Sequence, residues 1–143
     1  MKMSYEVSFI TDEAAELIIK AAADEARKIN LPATIAIVDP SGRLKAFRSL
    51  DNAPHVSLET AIKKAKTAIG FGFPTGHAWH EFKKNDPILN EGAGQLPDFI
   101  LLGGGSPIMV KGKMIGAIGV SGGHYEQDEK CVKAALEALS KYE

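Results

Sequence analysis

Strand-like segments that follow one another through tight turns, helical apolar spacing confined to separate stretches, and glycine-rich loops near the C-terminus predict an α+β fold with an antiparallel sheet. Parallel strands need long crossovers, and no helix fits between the paired segments. With 143 residues, 45% hydrophobic and 24% charged, the chain reads as one globular domain over residues 1–143 that can bury a sizeable core.

Thr11 opens the first helix: its hydroxyl can cap, Asp12 and Glu13 complement the helix dipole, and Ile18, Ala22, Ala26 and Ile29 recur at helical spacing. Asn30-Leu-Pro32 ends it. Residues Ala33 to Val38 and Arg43 to Ser49 read as two strands of a hairpin around the turn Asp39-Pro-Ser-Gly42. After Asp51-Asn-Ala-Pro54 a second helix carries Leu58, Ile62, Ala65 and Ile69 inward, with Lys63, Lys64 and Lys66 on its wet side and Gly70 and Gly72 at its end. Pro74 to Asn85 holds a short helix with Trp79 and Phe82 inward, followed by a loop up to Pro97. Asp98 to Leu102, Ser106 to Val110 and Met114 to Val120 read as three strands, the last two joined by Lys111-Gly-Lys113. From Glu126 the chain is helical again, with Val132, Ala135, Leu139 and Tyr142 on its apolar face and Cys131 in the core.

Seventeen basic and eighteen acidic residues give a net charge of −1, and no basic run is interleaved with aromatics, so no nucleic-acid partner is expected. No segment has the length of a membrane span and the N-terminus lacks a secretory signal, so a cytoplasmic protein without a membrane partner is expected. The single cysteine agrees with a reducing compartment.

The chemistry-bearing residues cluster late in the chain. Gly103-Gly-Gly105 leads into a strand, so neither a dinucleotide fingerprint nor a phosphate loop is present. Gly103, Gly104 and Gly105 with Ser121, Gly122 and Gly123 can instead form a cradle of backbone amides for an anion, or simply two tight turns. His124, ahead of a helix N-terminus and beside Tyr125, is a candidate acid, base or ligand, with a solvent-exposed loop histidine as the alternative. Glu126 and Asp128 are candidate catalytic carboxylates or dipole complements. His77, His80 and Glu81, at i, i+3 and i+4, are candidates for metal or haem ligation, and Trp79 for an apolar pocket wall. His55 reads as a cap or surface pair, and Arg43, Lys45 and Arg48 as solvated edge-strand charges that can attract a carboxylate.

The motifs Gly103-Gly-Gly-Ser-Pro-Ile108, Gly112, Ile115-Gly-Ala-Ile-Gly-Val-Ser-Gly-Gly123 and Gln127-Asp128, with Val38-Asp39-x-x-Gly42 and Phe73-Pro-Thr75, resemble the HbpS-like haem-degrading family, which includes GlcG and the C-terminal domain of PduO-type proteins. The resemblance implies a profilin-like fold with a five-stranded antiparallel sheet, assembly into homo-oligomers, and haem as a candidate cofactor. It also implies lyase chemistry in a branch acting on hydroxylaminobenzoate, which Phe73-Pro-Thr-Gly and Phe82-Lys-Lys-Asn-Asp-Pro87 resemble. His124 stands where many relatives carry a small residue. Three functions follow: a binding protein for haem or a flat carboxylated small molecule, a lyase or isomerase on a hydroxylamino-aromatic or hydroxy acid with His124 moving protons, and an assembly subunit without a ligand.

Overall fold

The computed structural model describes residues 1–143. In chain order the elements are α1 (Asp12–Lys28), β1 (Thr34–Val38), β2 (Leu44–Ser49), α2 (Ser57–Phe71), α3 (His77–Lys84), α4 (Pro87–Gly92), a 3-10 turn (Ala93–Gln95), β3 (Gly105–Val110), β4 (Lys113–Ser121) and α5 (Tyr125–Ser140). The four strands form one antiparallel sheet in the order β2-β1-β4-β3.

Local chemistry explains most boundaries. Thr11 accepts the Ala14 N–H at 3.1 Å and starts α1. In the first hairpin the Asp39 carboxylate accepts from the Ser41 N–H, the Ser41 hydroxyl and the Arg43 N–H, which ties the turn to its own side chain. Lys111 and Gly112 both take positive φ, +50° and +77°, as a two-residue turn between β3 and β4 requires. Gly72 closes α2 with a left-handed cap.

Each sheet face carries its own helices. Ile35, Ile37, Ile118 and Val120 pack beneath α1 and α5 in a core that also buries Ile18, Ile19, Cys131 and Ala135. On the other face Val38 and Ala117 meet Ala65, Ala68 and Ile69 of α2. A side chain at Gly119 would run into the Ala61 carbonyl, so α2 lies directly on the β4 backbone.

Several expectations are corrected. The sheet has four strands, not five, because Asp98 to Leu102 pairs with no strand. Asp98 takes φ +61°, and the Ile100 N–H bonds the Thr67 hydroxyl of α2 at 3.0 Å instead of joining a ladder. A run of four apolar residues fits a strand or a buried loop equally well. The expected loop before Pro97 contains α4, which Asp86 caps through the Leu89 N–H. Phe82 is exposed rather than inward, and Tyr142 lies beyond the end of α5 in solvent. No helix is long and apolar enough to cross a membrane.

Candidate ligand-binding site

The triple glycine is the structural pivot of the site. Gly104 takes φ +116°, and a Cβ there would meet the Val120 carbonyl oxygen at 2.7 Å and Lys64 Nζ at 3.0 Å. At Gly103 a Cβ would sit 2.6 Å from Glu129 Oε2. The loop is therefore clamped between α2, β4 and α5. Thr75 extends the clamp: its hydroxyl accepts the Gly105 N–H at 2.9 Å and its N–H donates to the Gly105 carbonyl at 3.0 Å. That pair of bonds fixes where α3 begins.

Between α3 and α5 lies a cavity of about 430 Å³, within the size range of small-molecule sites. One wall is Gly76, His77 and His80; the floor is Leu101, Leu102 and Gly103; the opposite wall is Tyr125, Glu126 and Glu129. Gly104 and Gly105 line a neighbouring hollow, also about 430 Å³, which shares Glu129. The N–H groups of Gly103 and Gly104 bond no acceptor of the chain, so the loop keeps one free donor on a residue lining the cavity, Gly103, and one on a residue lining the neighbouring hollow, Gly104.

Five expected site residues thus converge: His77, His80, Gly103, Tyr125 and Glu126. The others do not. Ser121, Gly122 and Gly123 face away from the cavity, because Gly122 packs on Ala33 and Gly123 on the Gln127 side chain. The two glycine loops therefore do not form a joint cradle. His124 is the N-cap of α5: its Nδ1 accepts the Glu126 N–H at 3.2 Å, while Gln127 Oε1 accepts the His124 N–H at 3.1 Å. The cap engages Nδ1 alone and leaves Nε2 without a partner in the chain, but His124 does not line the cavity.

Asp128 is corrected from candidate catalyst to buried ion pair. It and Lys64 are each 1% exposed; Lys64 Nζ donates to Asp128 Oδ2 at 2.8 Å and to the Val120 carbonyl at 2.9 Å. Burial pushes the Lys64 ammonium down and the Asp128 carboxyl up from their ordinary values, and the bond between them opposes both shifts. Lys64, expected on the wet side of α2, points inward because the glycine loop leaves room for its ammonium.

Trp79 is 3% exposed and sits among Phe71, Phe73 and Phe99, with ring centroids at 4.8, 5.1 and 4.9 Å, rather than in the cavity wall. Its Nε1 is buried without a partner. His77 Nε2 lies 3.8 Å from Glu81 Oε1 across one exposed helical turn. No three His, Cys, Asp or Glu side chains are grouped to hold a bare metal ion, so the expected His77, His80 and Glu81 cluster does not form a three-ligand site. Burial pushes the Cys131 thiol up to about 12, which keeps it inert in the core.

Sequence reasoning missed Glu129, Leu101 and Leu102. The signal for Glu129 was its spacing: residues 125, 126 and 129 share one face of a helix. Leu101 and Leu102 were read as strand, which hid their place in the floor.

The residues on the histidine side suit an iron-porphyrin in their chemistry: His77 or His80 would supply an imidazole ligand, and Leu101 and Leu102 apolar contact. The acidic wall of the cavity, Glu126 and Glu129, disfavours propionates there; the unbonded N–H of Gly103 is the backbone donor on the lining for an acid group.

Residues 10–137 match the family model of the haem degrading protein HbpS-like group. The chain belongs to the HbpS-like family. It is 33% identical over 115 residues to the protein GlcG of Escherichia coli K12, covering 78% of this chain and 81% of GlcG. The crystal structure of the Klebsiella pneumoniae protein ORFY is similar at TM-score 0.85 and 30% identity, covering 100% of this chain and 99% of that one. The crystal structure of a PduOC:heme complex is similar at TM-score 0.79 and 27% identity, covering 91% and 94%. HbpS-like relatives share the α+β architecture found here.

Proposed function

We propose that this protein binds haem, or a flat small molecule of similar shape carrying an acid group, in the cavity between α3 and α5. The observation that carries this reading is the cavity of about 430 Å³ with two imidazoles, His77 and His80, on one wall above Leu101 and Leu102. The PduOC:heme complex, a relative of the same fold, supports it. Bound haem would supply iron for ligand or redox chemistry. Of the two, His80 is our candidate for the iron, because its ring has no partner within the chain whereas that of His77 faces Glu81. Leu101 and Leu102 would cover the macrocycle and exclude water. A lyase acting in this cavity would draw its acid-base groups from the lining, Glu126, Glu129, Tyr125 or the two histidines, since His124 caps α5 and does not line the cavity.

Titration of the purified protein with haemin, followed at the Soret band, tests the proposal. Saturable one-to-one binding is expected, with His80→Ala weakening it at least about tenfold, roughly 1.4 kcal/mol, and His77→Ala weakening it less. No saturable shift in the unaltered protein overturns it, and the same cavity is then screened with hydroxylamino-aromatic and hydroxy acids.

A further inference from the structure

Residues 1–9 alternate strictly: Met1, Met3, Tyr5, Val7 and Phe9 on one side, Lys2, Ser4, Glu6 and Ser8 on the other. This is the period of a strand with one buried face. Yet all five apolar side chains are exposed, Tyr5 at 81%, and the segment is held only where the Ile10 N–H meets the Ile115 carbonyl at 2.9 Å. A lone strand with an apolar stripe does not stay unpaired in water.

The sheet offers two edges. On β3 the outward positions are Gly105, Pro107 and Met109, as fixed by the Val120 N–H bonding Gly104 O. Thr75 already takes both backbone groups of Gly105, and Pro107 has no N–H, so that edge offers a complete pair of outward groups only at Met109, next to the hairpin turn. On β2 the bond from Leu50 N–H to Ala33 O sets the phase, so the backbone groups of Phe47 and Ser49 point outward with no partner. Leu44 and Phe47 pair with Val38 and Ala36 on the α2 face, but α2 packs over β1, β4 and β3, leaving Leu44 and Phe47 bare at 50% and 40% exposure.

We propose that residues 1–9 of one copy add as a further strand to the β2 edge of a second copy, with their apolar stripe continuing the Leu44 and Phe47 face. The arm and the open edge are complementary, and each chain carries both, so a second copy is the occupant. Aromatic side chains bury roughly 150–250 Å² each. Two reciprocal arms of five apolar residues, with the surface they cover, reach the order of the roughly 1,600 Å² of a stable interface. The inference is independent of the haem proposal.

Sedimentation velocity on the full chain tests it. The unaltered protein is expected to associate at micromolar concentration. Tyr5→Lys with Val7→Lys, and separately Phe47→Pro, are each expected to raise the dissociation constant at least about tenfold while leaving the far-ultraviolet circular dichroism unchanged. Mixing the two variants should restore a one-to-one complex through the intact arm of one and the intact edge of the other. If Phe47→Pro unfolds, Phe47→Lys replaces it. A monomeric unaltered protein, association that survives the arm variant, or association that survives the edge variant overturns the proposal.

Discussion

The buried pair Lys64 and Asp128 joins α2, β4 and α5 at one point, and its ammonium rests against the glycine loop. Removing one partner strands the other charge in the interior, where desolvation is no longer offset. Lys64→Met is therefore expected to cost about 3–5 kcal/mol in urea unfolding, and Lys64→Met with Asp128→Leu distinctly less. A double variant no more stable than Lys64→Met would show that packing, not charge, dominates this site. Asp39 works in the opposite sense. Burial alone would raise its carboxyl, but the hydrogen bonds from Ser41 and Arg43 outweigh that and hold it below its usual value. A carboxylate depressed in the folded state contributes stability above its unfolded pKa of about 3.9 and loses it as pH falls through the folded value. The stability gap between the unaltered protein and Asp39→Asn should thus be full at pH 6 and shrink below about pH 4.

At the scale of elements, α3 and α5 matter most, since they carry both walls of the cavity. Their placement depends on groups outside the cavity: Thr75 pins the start of α3 to Gly105, and His124 with Gln127 caps α5. His124→Ala should cost about 0.5–2 kcal/mol through loss of the cap and leave haemin affinity unchanged. A large loss of affinity with full stability would return His124 to the site. The strand expected over Asp98 to Leu102 shows how an element was misjudged: its apolar run was visible, but the Thr67 hydroxyl that takes the Ile100 N–H comes from 33 residues away in sequence. A short apolar run carries no mark of such a partner.

For the whole molecule, what was legible was whatever neighbouring residues determine. The α+β class, the Asp39 turn, the Thr11 cap, the Lys111-Gly112 hairpin and the helical stripes all follow from backbone sterics, capping and periodicity acting within a few residues. So did the family, through closely spaced glycines that mark where backbones must touch. The candidate site was legible only as a list. His77, His80, Gly103, Tyr125 and Glu126 were on it, and so were His124, Asp128 and Trp79, which the fold spends on a cap, a buried ion pair and an aromatic cluster. Local sequence determines which conformation each segment prefers. Only tertiary packing decided that Lys64 turns inward, that the second glycine loop faces away from the cavity, and that one sheet edge stays open, because each depends on groups brought together from distant parts of the chain, whose burial and pairing no local pattern encodes.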